Sequence, residues 1–346
     1  MKNTDRFLCA VGVLGVLSAL GVLSNRASAQ QPSALERSLQ MRRAQMPNDG
    51  EIHVLPAQGN VHMLVGAGGN VAVQIGDEGV LVVDTGTAAM SEKLLAAIKK
   101  LSGKPIRYIV NTHFHPDHTG GNMTIGKAGG TTRGGSTEIV AHENTLNRMS
   151  APAGKASPTP VEAWPTDTFF PEEKDFFFNE EAVMLYHDQA AHTDGDAIVF
   201  FRRSDVVVAG DIFVTTEYPF IDSANGGTVY GVIAGLNRLL DLCVPKHEQE
   251  GGTMVIPGHG KLSDESEVLE YRDMMVIIKD RIEDMVKRGL TLEQVKAGKP
   301  SLDYDLHYGA DSGPWTTDMF IAAIYSDASK AVKPAAPAKP APKGRK

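Results

Sequence analysis

The feature that most constrains this chain is the cluster His113-Phe114-His115-Pro116-Asp117-His118, which follows an apolar run from Ile106 to Asn111. Because side chains alternate along an extended segment, His113 and His115 can point to the same side. Asp117 and His118 follow directly, and imidazoles and carboxylates are typical ligands of zinc and related metals. Two adjacent ligand pairs indicate two adjacent metal ions on a loop at the end of a buried strand.

Short apolar runs alternate with helical patterns along the chain. Strands are predicted at 61–65, 71–75, 79–86, 106–111, 138–141, 182–186, 197–201, 206–209 and 253–256. Helices are predicted at 91–101, 142–149, 228–244 and 263–288, with Ser91 and Ser263 as N-caps, and Thr291 and Gln294 as a capping box. Residues 120–137 and 150–171 are predicted to be loops. Two β-rich halves with outer helices predict an α/β fold of two sheets packed face to face, a four-layer sandwich.

Three further ligand-type residues share one placement. His192, Asp211 and His259 each follow a predicted strand, in a short turn with glycine nearby. Each residue alone is more typical of an ordinary turn or of a hydrogen-bonded loop. Together with the first cluster they supply five His and two Asp that can share one rim. That inventory is sufficient for two metal sites and a bridging carboxylate.

The chain resembles the metallo-β-lactamase-fold hydrolase superfamily over roughly residues 55–265, with five motifs in order: Asp84, the 113–118 cluster, His192, Asp211 and His259. The resemblance implies an αββα sandwich with a dinuclear site in the cleft between the sheets. It assigns His113, His115 and His192 to the first metal. It assigns Asp117, His118 and His259 to the second metal, with Asp211 as the bridge. Asp84 is expected to accept a hydrogen bond from a ligand imidazole, and the alternative is a turn-forming Asp.

The residue types at single positions indicate which branch of the superfamily the chain resembles. His115 stands where the flavodiiron branch carries Glu, which favours hydrolysis over oxygen reduction. Asp211 occupies the bridging position, as in glyoxalase II-like and general hydrolases. The commonest β-lactamase subclass uses a Cys ligand in that region, but Cys243 falls inside a predicted helix. The expected function is therefore hydrolysis of a small ester, thioester, lactone or amide.

Two divalent ions, with zinc as the expected metal, would lower the pKa of a bound water from near 15.7 to about 7, and the resulting hydroxide would be the nucleophile. Asp117 is expected to orient this nucleophile or to carry a proton. Three alternatives remain open: a class B-like β-lactamase, a non-haem iron enzyme such as a persulfide dioxygenase, and a non-catalytic metal-binding protein. Tyr218, Phe220 and the stretch 150–171 either line the substrate cleft or pack as ordinary loops.

The two ends of the chain differ from its body. Lys2 and Arg6 precede an apolar run, and Ala27-Ser28-Ala29 matches a cleavage site, which predicts a signal peptide at 1–29. An uncleaved anchor helix is the alternative. Residues 30–50 are expected to be loosely ordered, 51–329 to form the hydrolase domain, and 330–346 to be a disordered basic tail rich in Pro, Ala and Lys.

Cleavage after Ala29 would export the protein to the periplasm or the medium, without stable membrane insertion. Cys9 would leave with the signal, so the mature chain would keep only Cys243 and no intrachain disulfide. The formal net charge of −8 argues against a nucleic-acid partner and leaves a small-molecule substrate. No pattern in the sequence indicates an oligomeric state.

Overall fold

The computed structural model describes residue 47 and residues 49–129, 137–152 and 159–332. Its strands form one sheet of seven and one of six. The strands of the first sheet follow chain order: β1 (His53–Gln58), β2 (Val61–Val65), β3 (Val71–Ile75), β4 (Val80–Val83), β5 (Ile106–Val110), β6 (Glu138–His142) and β7 (Asp167–Phe169). The second sheet has the order β13-β12-β11-β10-β9-β8, with β8 (Glu173–Phe178), β9 (Glu181–Asp188), β10 (Asp196–Phe201), β11 (Val206–Gly210), β12 (Met254–Pro257) and β13 (Ser263–Asp264).

Helices lie outside the sheets and in the loops between strands. They are α1 (Ser91–Leu101), α2 (Pro116–Thr119), α3 (Asn122–Ala128), α4 (Glu143–Ser150), α5 (Val229–Leu242), α6 (Glu265–Lys287), α7 (Leu292–Ala297), α8 (Leu302–Tyr308) and α9 (Thr317–Ala331). Single 3₁₀ turns occur at Ala88–Met90, Val161–Ala163 and Ser223–Asn225.

The alternation of side chains along buried strands creates the layers. On β4, Leu81 and Val83 point into the core between the sheets, whereas Val80 and Val82 pack against α1 and α3. On β11, Val206 and Val208 likewise point into the core between the sheets, whereas Val207 and Ala209 belong to a core under α5, α6 and α9. Each fully buried aliphatic side chain contributes roughly 1.5–3 kcal/mol. Three cores between four layers confirm the predicted αββα sandwich.

The carboxyl ends of several strands meet at one edge of the sandwich. β4, β5 and β6 run parallel in the first sheet, and β11 and β12 run parallel in the second. The loop that joins β9 to β10 lies at the same edge, because the backbone N–H of Ala197 at the start of β10 donates to Thr112 O just after β5, at 2.8 Å. The two sheets are thus tied together where the ligand-type residues occur.

Some local predictions were wrong. Residues 120–137 were predicted to be a loop, but 122–128 form α3, which buries Ile125 against the first sheet. The helix depends on this tertiary contact, so its Gly- and Thr-rich sequence gave no helical signal. The stretch 150–171 contains β7, and its residues 153–158 lie outside the described part of the chain.

Two predicted N-caps are shifted by one residue. Ser91 is the first residue of α1, because its hydroxyl donates back to Ala88 O in the preceding 3₁₀ turn. Asp264 rather than Ser263 caps α6, since its carboxylate accepts from the N–H groups of Ser266 and Glu267. The capping box of Thr291 and Gln294 is present as predicted.

The predicted signal at 1–29, most of the segment 30–50 and the tail from residue 333 lie outside the described residues. The helix α9 continues to Ala331, so the first two residues assigned to the tail are helical. Among the helices that the structure describes, none combines the length and apolar character that a bilayer crossing requires.

Candidate metal centre

The structure brings all seven predicted ligand-type residues together at the edge where the strands end. Backbone hydrogen bonds hold the loops that carry them. The N–H of Thr85 after β4 donates to His118 O at 2.7 Å, and the N–H of Asn70 between β2 and β3 donates to Gly258 O at 2.8 Å. The side-chain amide of Asn70 donates to Pro257 O at 2.8 Å. The loops of both sheets are therefore fixed relative to each other.

The first group comprises His113, His115, His192 and Asp211, whose potential ligand atoms all lie within 4.8 Å of one another. His192 Nε2 lies 2.9 Å from His115 Nδ1. The ring of His113 stands edge-on to those of His115 and His192, with centroid distances of 4.9 and 4.8 Å. Three imidazole nitrogens thus converge on one point beside a carboxylate.

The second group comprises Asp117, His118 and His259. His259 Nε2 lies 3.2 Å from Asp117 Oδ2 and 3.3 Å from His118 Nε2. The group faces the same hollow as the first, and its members come from the loops after β5 and β12.

Asp211 stands between the groups with one oxygen toward each. Its Oδ2 lies 3.9 Å from His113 Nε2 and 3.7 Å from His192 Nε2. Its Oδ1 lies 3.2 Å from His118 Nε2 and 3.6 Å from His259 Nε2. A carboxylate divided in this way can contact two cations at once.

Asp84 orients imidazoles of both groups. It accepts a hydrogen bond from His118 Nδ1 on Oδ2 at 2.8 Å, as the sequence predicted for this residue. The same oxygen accepts from the Thr112 hydroxyl at 2.7 Å, and that hydroxyl oxygen lies 3.1 Å from His113 Nδ1. Because the Thr112 proton goes to the carboxylate, its oxygen is an acceptor, so His113 carries its proton on Nδ1. The Nε2 atoms of both histidines are then free to bind a cation.

Two further groups that orient imidazoles were not predicted from the sequence. Asp222 Oδ2 lies 3.0 Å from His115 Nε2, which turns Nδ1 of that ring into the site. His192 Nδ1 donates to the backbone oxygen of Phe220. A carbonyl gives no residue-type signal, and Asp222 also accepts from Asn225 N as an ordinary turn-forming Asp would.

Burial keeps two imidazoles of the first group, those of His113 and His192, in the neutral form. Burial, followed by the charge of neighbouring imidazoles, holds the pKa of His113 well below its usual value. Burial also lowers the pKa of His192 to about 4. Both imidazoles are therefore unprotonated at neutral pH, which is the form that binds metal.

The second group attracts positive charge. Burial opposes protonation of His118, but Asp211 and Asp84 raise its pKa well above the usual value. Burial likewise works against Asp117 ionising, yet the hydrogen bond from His259 and the charge of His118 lower its pKa to about 2. These carboxylates hold protons on the imidazoles, and a divalent cation can replace those protons.

The donor set fits a metal centre on independent grounds. Among the described residues, His113 Nε2 and Asp211 Oδ1 are buried and have no hydrogen-bond partner. An unsatisfied buried polar atom costs about 1–3 kcal/mol, so such atoms need an explanation. Coordination of a cation would satisfy both atoms. Cys243 belongs to neither group and is buried at the C-terminal end of α5.

A cavity of about 360 Å³ opens over the two groups. Its apolar lining residues are Val214, Phe220, Pro314 and Trp315. Of the two aromatic residues predicted as alternatives for this cleft, Phe220 lines it. Tyr218 does not, because it is buried, donates its hydroxyl to Asp305 and stacks on Phe320.

A family model described as the metallo-beta-lactamase superfamily matches residues 64–267. A curated relative, a linear primary-alkylsulfatase from Pseudomonas sp., is 41% identical over 73 residues, which is 21% of this chain and 14% of that relative. The matched stretch is thus a small part of the relative's length.

Solved structures with the same fold include a metallo-beta-lactamase from Pontibacter korlensis, at 19% identity and a TM-score of 0.51, which covers 65% of this chain and 99% of that protein. They also include a stereoselective inverting sec-alkylsulfatase from Pseudomonas sp., at 16% identity and a TM-score of 0.62, which covers 85% of this chain and 52% of that protein. This chain corresponds to about half of the alkylsulfatase. At such identities the likeness establishes the fold.

Proposed function

Because this chain belongs to the metallo-beta-lactamase superfamily, whose family model covers residues 64–267, we propose that it is a hydrolase with a dinuclear metal centre. The observation that carries the proposal is Asp211, whose two oxygens face two separate groups of ligand-type side chains. A carboxylate shared by two close cations reduces their mutual repulsion.

The proposed ligands are divided as the geometry groups them. The first ion would be held by His113, His115 and His192, the second by Asp117, His118 and His259, and both by Asp211. Zinc is the expected metal, since imidazoles and carboxylates suit it. When bound, such ions polarise a scissile carbonyl and lower the pKa of water to about 7.

Asp117 is proposed to orient the attacking water. Its side chain is 37% exposed toward the cavity. With a pKa of about 2 it is ionised at neutral pH, so it accepts hydrogen bonds and is a poor proton donor. Of the two roles expected from the sequence, orientation therefore has better support than proton delivery to the leaving group.

The substrate class proposed is a small ester, thioester, lactone or amide. The test is elemental analysis of the purified protein together with hydrolysis of 4-nitrophenyl acetate before chelation, after chelation and after zinc is restored. Activity should disappear with the metal and return with zinc. Activity that survives chelation unchanged would refute the proposal. Native iron with oxygen consumption would instead support the iron-enzyme alternative, and bound metal without turnover would support a non-catalytic protein.

A second candidate is hydrolysis of an alkyl sulfate. It is favoured by the stretch of 73 residues that is 41% identical to a linear primary-alkylsulfatase. Sulfate release from hexyl sulfate, measured beside ester hydrolysis, separates the two candidates. A chromogenic cephalosporin in the same panel tests the β-lactamase alternative.

Export is proposed on the sequence of residues 1–29 alone. Expression of the full chain in a Gram-negative host, followed by fractionation and N-terminal sequencing, tests it. The expected product begins at Gln30 and lies in the periplasm or medium. A product that retains Met1 in the membrane fraction would support the uncleaved anchor.

A further inference from the structure

The cavity over the candidate metal centre has an aromatic wall made by Phe220 and Trp315. Their ring centroids lie 4.8 Å apart at an interplanar angle of 79°. The Phe220 ring lies 5.9 Å from that of His115 and 5.6 Å from that of His192, so the wall begins directly beside the first group. Phe220 remains 40% exposed. Open aromatic surface beside converging polar groups is typical of a site for an apolar ligand.

We propose that Phe220 and Trp315 bind an uncharged hydrocarbon part of the substrate, so that the enzyme prefers esters with longer apolar acyl chains. This inference rests on the proposed hydrolase function and specifies the substrate class of the same site.

Trp315 comes from the C-terminal part of the chain, beyond the residues 64–267 that the family model matches. It lies between α8 and α9 in a segment that hydrogen bonds fix on both sides. The N–H of Thr317 donates to Ala310 O at 2.9 Å, and Ala310 N–H donates to the Thr317 hydroxyl at 3.0 Å. Phe320 of α9 is fully buried and stacks on Tyr218 at 4.3 Å. The wall is therefore formed in advance, which lowers the entropic cost of binding.

The lining of the cavity offers no basic side chain that could hold an anionic group at the wall. Among the described residues that line it, none is Lys or Arg. Proteins usually hold sulfate and carboxylate groups with Arg or Lys. Asp117 and Asp211 are proposed metal ligands, so the cations that they would bind offset their charge, and they do not oppose an anion at the centre itself. The part of the substrate that lies at the wall is therefore uncharged, whichever group is cleaved at the centre.

The first experiment measures kcat/KM for 4-nitrophenyl acetate, butyrate and hexanoate. For the unaltered protein we expect kcat/KM to rise by about fourfold for each methylene that the wall covers. This factor corresponds to the gain of about 0.8 kcal/mol for each buried methylene. Trp315→Ala should lower the hexanoate value by about tenfold and the acetate value by less than about twofold. Trp164→Phe is the matched control, because Trp164 lies outside this cavity and donates to Thr159 O. It should keep the full profile.

If Trp315→Ala lowers all three esters equally, the wall does not bind the acyl chain and the inference is overturned. A flat chain-length profile in the unaltered protein also overturns it. Where Trp315→Ala fails to fold, Trp315→Leu keeps an apolar side chain in the segment, and an intermediate slope is expected. A slope unchanged by Trp315→Leu counts against the inference.

The second experiment measures binding without turnover. The chain has two tryptophans, so Trp315 is the only one in the Trp164→Phe protein. Its fluorescence should change saturably with 1-hexanol, and ethanol should bind at least tenfold more weakly, because it has four fewer methylenes for the wall to cover. Equal binding of the two alcohols would overturn the inference.

These two experiments separate the inference from the proposed function. If ester hydrolysis is lost on chelation but substitution of Trp315 does not change the chain-length profile, the proposed function is supported and the inference about the wall is refuted. A saturable 1-hexanol signal in a protein that hydrolyses no ester supports the wall and refutes the function.

Discussion

Replacement of Asp84 by Asn tests how the imidazoles are oriented. Asp84 accepts three hydrogen bonds: from Thr112 N at 2.8 Å, from the Thr112 hydroxyl at 2.7 Å and from His118 Nδ1 at 2.8 Å. Its backbone has a φ of 61°, a conformation that Asn tolerates better than most residues. The substitution therefore leaves the backbone and side-chain volume nearly unchanged and alters only charge and hydrogen bonding.

The magnitude follows from these three bonds. Whichever oxygen becomes the NH₂ group, at least one donor then faces another donor. The bonds that survive lose their charge assistance, which makes such bonds roughly twice as strong as neutral ones. Loss of an orienting partner typically weakens metal binding by about 10–100-fold, or about 1.4–2.8 kcal/mol. We expect this loss mainly at the site of His118, with a smaller effect at His113, which Asp84 reaches only through Thr112.

The assay is competition for zinc against a chromogenic chelator, which resolves two dissociation constants. The matched control is Asp222→Asn, because among the candidate ligands in the described part of the chain the Asp222 side chain contacts only His115. Its backbone N–H donates to His192 O, and this bond does not depend on the side chain. Asp84→Asn should weaken the site of His118, and Asp222→Asn should weaken that of His115. Unchanged dissociation constants in Asp84→Asn, or weakening of the same site by both variants, would contradict the assigned roles of Asp84 and Asp222.

Four further changes test other parts of the structure. His118→Ala should empty one metal site and lower turnover by more than about a hundredfold with an unchanged far-UV CD spectrum; two retained metals and full rate would contradict the ligand assignment. Gly69→Ala should lower activity, because a Cβ at position 69 would collide with the His118 ring. Gly103→Ala is the control, because a Cβ at position 103 would meet no atom within 4 Å apart from those of its chain neighbours. His142→Asn tests pH dependence: burial and the charge of His187 lower the pKa of His142 to about 4 from the usual 6.5, so the folded protein loses stability as the pH falls from 6.5 toward 4. Between pH 7 and pH 5 the free energy of unfolding should fall by about 1 kcal/mol less in the variant than in the unaltered protein, and equal losses in urea titrations would refute this. Cys243→Ala should cost about 1 kcal/mol in stability and leave the zinc content unchanged, and loss of zinc would show that the thiol takes part.

The layers of the fold were predictable because single strands carry their pattern locally. The alternation along Val80–Val83 and the 3.6-residue pattern of Ser91–Leu101 each depend on a few neighbouring residues. The strand β8 (Glu173–Phe178) was missed, since it lies at the edge of its sheet, its first three residues are charged and its alternate residues are exposed. α3 was missed because packing of Ile125, not local propensity, forms it.

The candidate site was predictable for a similar reason. Each ligand-type residue follows a strand, and strands that end at one edge bring their loops together. Asp222 could not be found in this way. Its partner His115 is 107 residues away, and its local bonds to Asn225 explain an Asp at that position without any site. The Phe220 carbonyl and the Trp315 wall depend equally on how distant segments pack.

The split carboxylate of Asp211 also has a thermodynamic consequence. An ion that enters one group would draw Oδ1 or Oδ2 toward itself and so reposition the other oxygen for its neighbour. The affinity for the second ion must then depend on whether the first is bound, and the affinity for the first must depend equally on the second. Zinc titrations should therefore follow a cooperative or anticooperative isotherm, never the sum of two unlinked hyperbolas.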